Sequence, residues 1–142
     1  MLIRLLPNEI SGYWKIIEAS VKKSLMKDQA DTPEKRNNIL RALLIGHLVC
    51  WFYKEDSSKI KSVILTAVVK DEYIRQKNLL IYAAMGLKIN AEGWTACYDT
   101  LETYAKGIGC DKIIFYTANP RLIKIAKFFG PVESYTVCEI NI

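Results

Sequence analysis

Three observations predict an α/β (α+β) fold, a single mixed sheet with helices on both faces. The apolar pattern alternates between helical and strand periods in the order β-α-α-β-β-β-α-β-α-β. Residues 79–117 read as strand, helix, strand with tight connections, a unit that almost always gives parallel strands and a right-handed crossover. Two β-forming runs before it are joined by a short polar turn and read as an antiparallel hairpin. A sheet with both kinds of pairing is mixed, and the helices between its strands cover its two faces.

Each element has a local reason. Leu2 to Leu6 is a short strand stopped by Pro7, and Asn8 is read as the cap of the first helix. Ile10, Tyr13, Trp14, Ile17, Val21 and Leu25 recur at helical spacing and carry that helix to about Leu25. After a polar stretch, Thr32-Pro33 starts the second helix, with Thr32 as cap and Pro33 in the first turn. Ile39, Leu40, Leu43 and Leu44 form its buried stripe, and Gly46 ends it. His47 to Tyr53 and Ile60 to Val69 are the hairpin strands around the turn Glu55 to Ser58.

Lys70 to Asn78 is polar and reads as a connection; Leu79 to Met85 is apolar almost throughout, as a strand buried on both faces. Asn90 caps the next helix, whose Trp94, Cys97, Tyr98, Leu101, Tyr104 and Ala105 share one side. Gly107 and Gly109 stop it. Asp111 to Thr117 is a strand, and Asn119-Pro120 begins the last helix, with Ile123, Ala126 and Phe129 on its apolar side. Gly130-Pro131 end it, and Val132 to Ile142 is a final extended segment.

Composition narrows the function. The 142 residues suit one domain (1–142), and 51% apolar with 25% charged residues is a globular balance. The longest apolar run, Ala42 to Tyr53, is too short for the ~20 residues of a spanning helix. Met1 to Pro7 is too short for a secretory signal, so a cytosolic protein is expected. The four cysteines form no Cys-x-x-Cys pair and the chain has a single histidine, so no metal site is expected. The net charge of +5 leans towards anionic partners without choosing among them. No RNA- or DNA-binding motif is visible, and nucleic acid ranks last as a partner.

In element order, and more specifically over residues 79–130, the chain resembles the Gcn5-related N-acetyltransferase (GNAT) superfamily. Those proteins place a Gln/Arg-x-x-Gly-x-Gly/Ala loop between a strand and a helix, then a second strand and an asparagine leading into another helix. The matching residues here are Asn90-Ala-Glu-Gly93-Trp-Thr95, then Asn119 after the strand at Lys112 to Tyr116, with Gly130 closing the last helix. The run Tyr116-Thr-x-Asn-Pro-Arg121, followed by a basic amphipathic helix, also resembles bacteriophage proteins.

The resemblance implies an acyl-CoA N-acyltransferase-like fold, acetyl-CoA as cofactor and an amine as acceptor. It places the pantetheine arm along the strand Leu79 to Met85, with contacts from about Tyr82 to Leu87. The implied cofactor-binding residues are Tyr82, Ala84, Met85, Gly86, Leu87, Asn90, Gly93, Trp94 and Asn119. The pyrophosphate would meet backbone N–H groups at the helix start, which carry a partial positive charge.

The departures are concrete. Asn90 and Thr95 replace the outer loop residues, and Glu92 puts a negative charge beside the phosphate position. Ala126 stands where many members carry a tyrosine, and no acid lies within Leu79 to Met85. Asn90 and Asn119 are equally ordinary caps, and Trp94 could fill the cofactor's space. Arg121, Lys124 and Lys127 share a helix face that is either solvated or meets a polyanion. His47 reads as structural, and no catalytic residue is assigned. Two functions therefore stand: an acyl-CoA-dependent N-acyltransferase, or a catalytically inactive GNAT-fold binding or structural module. The final segment Ser134 to Ile142 could pair with a second copy to make a homodimer.

Overall fold

The computed structural model of the chain describes residues 1–24, 32–56, 59–86, 89–117 and 119–142. Its strands are β1 (Leu2–Arg4), β2 (Leu48–Lys54), β3 (Ile60–Asp71), β4 (Gln76–Met85) and β5 (Lys112–Phe115). The helices among the described residues are α1 (Ile10–Ser24), α2 (Pro33–Leu44), α3 (Ala91–Gly107) and α4 (Pro120–Lys127), with a 3-10 turn at Pro7–Glu9. One five-stranded sheet runs β1-β2-β3-β4-β5. The first three pairings are antiparallel and β4–β5 is parallel, so the sheet is mixed.

Two apolar layers sandwich this sheet. On one face Ile10, Ile17 and Val21 of α1 and Ile39 and Leu43 of α2 pack on Cys50, Phe52, Val63 and Leu65. On the other, Cys97, Leu101 and Ala105 of α3 pack on Trp51, Tyr53, Ile64 and Leu79. The period-2 alternation of β2 sends Cys50 and Phe52 to the first layer and Trp51 and Tyr53 to the second. The buried Trp51 indole donates to the Thr66 hydroxyl at 2.9 Å, which satisfies both polar groups inside the second layer.

The caps are local chemistry. Thr32 Oγ1 accepts from the Lys35 N–H at 3.2 Å, with Pro33 in the first turn. Asn90 Oδ1 accepts from the Gly93 N–H at 2.8 Å, and Asn119 Oδ1 from the Arg121 N–H at 3.0 Å. Gly46 adopts φ 80° just beyond α2, the left-handed stop that glycine tolerates.

Five expectations are corrected. Asn8 is not a cap: Leu6 is, and its N–H donates to the Glu9 carboxylate at 2.7 Å, so Pro7 opens the turn one residue earlier. The polar stretch from Lys70 to Asn78 is not a simple connection. β3 continues to Asp71 and β4 begins at Gln76, so 72–75 is a tight turn in a second hairpin, held by the Asp71 carboxylate accepting from the Tyr73 and Ile74 N–H groups. Strand ends that project past the core need no apolar residues. β4 is not buried on both faces, because Tyr82 is 37% exposed. Val132 to Ile142 forms no strand; it has no regular secondary structure and is exposed, with Val132 at the border of exposure. Leu44 also leaves the expected buried stripe of α2, at 43% exposure. Leu25 and the turn residues 57–58 lie outside the described residues.

Candidate functional site

The parallel pair β4–β5 defines the site. Its register runs Asn78↔Lys112, Leu79↔Ile113, Leu80↔Ile114 and Ile81↔Phe115, and there it stops. β4 continues to Met85, so the edge of Tyr82 to Met85 that would face β5 has no strand beside it. This open edge lies past the carboxyl end of β5, and ligands of open parallel sheets usually bind beyond the carboxyl ends of the strands.

A bulge shapes that edge. Leu65 pairs with Ala83 and Thr66 with Ile81, so Tyr82 is the extra residue on β4. The bulge shifts the alternation by one residue: Leu79 belongs to the α3 layer, whereas Ala83 belongs to the α1–α2 layer. Tyr82 itself lines a shallow groove of about 430 Å3 on the α2 face, with Lys35, Asn38, Ile39, Ala42 and Leu48.

Gly86 ends the edge with φ 78°. A Cβ there would lie 2.2 Å from the Lys61 carbonyl oxygen, so only glycine lets β4 turn away so close to β3. Ser62 Oγ donates to the Met85 carbonyl at 2.7 Å and fixes the same corner from the β3 side.

α3 starts just after this turn. Its Ncap Asn90 leaves the N–H groups of Ala91 and Glu92 without intrahelical partners, while Gly93 N–H is taken by Asn90 Oδ1 and Trp94 N–H by the Asn90 carbonyl at 3.0 Å. Gly93 is buried, and a Cβ on it would meet the Tyr53 hydroxyl at 2.8 Å. Trp94 is half-buried beside it. Burial first, then the Glu55 carboxylate, raises the pKa of Tyr53 and keeps its hydroxyl protonated. Tyr53 was not singled out by the sequence. The available signal was the β2 alternation, which puts Trp51 and Tyr53 on the α3 face with Tyr53 near the strand's end.

The expected residues fall in three groups. Tyr82, Ala84, Met85 and Gly86 lie within one five-residue run along the open edge, and Asn90, Gly93 and Trp94 form the start of α3. Asn119 caps α4 just past the end of β5, so the topology places all three groups at the same end of the parallel pair. Leu87 lies outside the described residues. Ala126 is half-buried on α4, and the α4 end is anchored by Phe129 stacking on Tyr98 of α3 at 4.4 Å. Arg121, Lys124 and Lys127 are exposed along α4. His47 is exposed too, at a separate cavity of about 450 Å3 lined by Thr66, Leu79 and Tyr104. That cavity adjoins the first half of β4, away from the open edge. Among the described residues no helix is long and apolar enough to cross a membrane.

Comparison with known proteins defines the architecture. No family model matches the sequence, and no curated protein matches it. Solved structures do match over the whole chain. An aminoglycoside acetyltransferase from an uncultured soil metagenomic sample is similar at TM-score 0.74 and 14% identity, covering 100% of this chain and 97% of its own. A ribosomal-protein-alanine N-acetyltransferase from Brucella melitensis is similar at TM-score 0.66 and 7% identity, covering 100% and 98%. A second aminoglycoside acetyltransferase from a soil metagenomic sample, solved with sisomicin, is similar at TM-score 0.68 and 13% identity, covering 100% and 94%. The fold is the GNAT acyl-CoA N-acyltransferase fold.

Proposed function

We propose that the chain is an acyl-CoA-dependent N-acyltransferase that uses acetyl-CoA and an amine acceptor. The observation that carries this reading is the open β4 edge, Tyr82 to Met85, beside the start of α3. Backbone N–H and C=O groups on that edge suit the amides of a pantetheine arm, which would add like a strand. Side-chain identity matters little to such pairing, so the apolar run of β4 is compatible with it. The Ala91 and Glu92 N–H groups suit a pyrophosphate, while Asn90 withdraws the Gly93 N–H from that role. Met85 and Gly86 set the end of the arm's track, Trp94 walls the start of α3, and Asn119 borders the open edge from the β5 side. Leu87, which follows Gly86 in the sequence, belongs to the same set by the family resemblance alone.

When bound, the cofactor supplies an activated thioester. The chain's own contribution is positional. The β4 edge orients the arm, and the protonated Tyr53 hydroxyl offers a neutral donor at the foot of α3. The groove beside Tyr82 gives an acceptor a way in from the α2 face. The fold neighbours that act on aminoglycosides and on a ribosomal-protein alanine have amine acceptors, which supports that substrate class. No side chain is assigned as base, and water is left to carry the amine proton.

A second reading has its own support. The Gly93 cradle is filled by the Tyr53 hydroxyl, its amide is capped, and Ala126 offers no phenol. These features suit a scaffold that has lost catalysis. Thermal melting with and without 1 mM acetyl-CoA decides between them. Ligand at a hundred times its Kd adds ~2.7 kcal/mol, a rise of about 5–10 °C for a domain of this size. A rise, followed by CoA release with an amine panel, supports the transferase. A well-folded protein with no shift rejects it in favour of the scaffold.

A further inference from the structure

Two adjacent rings at the end of α4 have opposite fates. Phe129 is half-buried and stacks on Tyr98 of α3, with ring centroids 4.4 Å apart. Phe128, the C-cap residue, is 86% exposed and adds next to no burial to the fold.

Helical geometry fixes the company Phe128 keeps. It retains the right-handed helical conformation, and its N–H bonds to the Ile125 carbonyl at 3.1 Å. It therefore stands one turn after Lys124 and two turns after Arg121 on the same face, with Lys127 beside them. All three cations are exposed, and none is in an ion pair among the described residues. Leu122, Ile123, Ile125 and Ala126, on the other side of the helix, are half-buried. No acid dilutes the charge. Residues 112–132 hold Lys112, Arg121, Lys124 and Lys127 and no Asp or Glu, which is +4 of the chain's net +5.

We propose that this face of α4 binds single-stranded nucleic acid, with the three cations on phosphates and a base stacked on Phe128. Charge complementarity sets the sign of the partner, and the ring sets its kind. A membrane-surface helix lays its apolar side in the lipid, whereas α4 has already turned that side to the protein. A row of cations around an open ring is the arrangement that holds an unpaired strand. Its bases must be free to stack, so a duplex fits less well. Arg, Lys and Phe side chains offer no acceptor to read a 2′-hydroxyl, so DNA and RNA are equivalent here. No sequence motif marks this face, because it depends on Phe128 staying exposed, which only the fold decides. This binding is independent of any acyl transfer.

Fluorescence anisotropy of labelled oligo(dT) and oligo(U) with the full chain tests it. Both should bind with comparable affinity, and more tightly than a duplex of the same length. Three phosphate contacts give a dependence of log Kd on log salt with a slope of about 2. Phe128→Ala should weaken binding about 5- to 150-fold and leave that slope unchanged, because the ring carries no charge. Lys124→Gln should lower the slope by about 0.7. Both residues are exposed, so the circular dichroism of each variant should match the parent. No binding at low salt overturns the proposal. So does a duplex bound as tightly as the single strand, or a Phe128→Ala variant that binds like the parent, since either shows charge acting without the ring. An equal loss of acetyl-CoA affinity in Phe128→Ala assigns the face to the cofactor's nucleotide and overturns it. Binding to phosphatidylserine vesicles that requires Phe128, with no binding to the oligonucleotides, places the ring in lipid and overturns it as well.

Discussion

Two glycines, one at the end of β4 and one at the start of α3, make opposite demands on their neighbours. At Gly86 the obstacle is backbone: a Cβ would lie 2.2 Å from the Lys61 carbonyl, and φ is 78°. Backbone cannot rotate aside, so Gly86→Ala should cost about 2–4 kcal/mol in urea unfolding, from strain and overpacking together. At Gly93 the obstacle is a side-chain end, the Tyr53 hydroxyl at 2.8 Å. Gly93→Ala gains about 1 kcal/mol of helix propensity but must displace that hydroxyl, for a net loss of about 1–2 kcal/mol. Tyr53→Phe removes the clashing oxygen, so the double variant should recover at least half of the loss. Additive single-variant losses in the cycle would show that the two residues do not meet. Gly93 could be picked from the loop pattern, but its partner could not. Tyr53 lies forty residues upstream, and only the sheet brings it to the helix start.

Elements were legible in the sequence where their signals are local. Thr32-Pro33, Asn90 and Asn119-Pro120 are caps as expected, because a cap is satisfied by an N–H within three residues. Thr32→Ala should therefore cost about 1 kcal/mol and Thr32→Ser almost nothing, measured by chemical unfolding. An equal loss from both would assign the effect to something other than the hydroxyl. Where tertiary contacts decide, the pattern misleads. The end of β3 and the start of β4 are polar, so no apolar alternation marks them, although Lys77 reaches the Ile108 carbonyl at the end of α3. The tail carries strand formers, yet it pairs with no strand of the sheet, because composition alone does not make a strand. The Tyr82 bulge is invisible in an apolar run, although it shifts the β4 alternation. The grouping of Tyr82 to Gly86 with Asn90 to Trp94 followed from chain order alone. The open edge beside it did not, because it depends on how far β5 extends.

On the scale of the whole molecule, both apolar layers contain a thiol that folding removes from water. Burial pushes Cys50 up to about 12, and it pushes Cys97 up to about 11 against a smaller opposing effect of the N-terminal ammonium. Both stand at about 9 when unperturbed. Below that value the thiols are neutral whether the chain is folded or unfolded, and their burial is fully compatible with stability. Above it the unfolded chain loses protons that the folded chain retains, so stability falls as pH rises towards the folded values. Tyr53, also raised by burial, acts in the same direction at higher pH. One pH unit past the unfolded value is worth about 1.4 kcal/mol per group, so the two thiols should make the protein about 2–3 kcal/mol less stable at pH 10 than at pH 8. The Cys50→Ala, Cys97→Ala double variant should start lower at pH 8, because of the lost packing, and then fall less steeply. Urea unfolding at the two pH values measures both slopes. If the variant loses as much stability as the parent, the alkaline weakening comes from other groups, and the buried thiols do not set the upper pH limit of the fold.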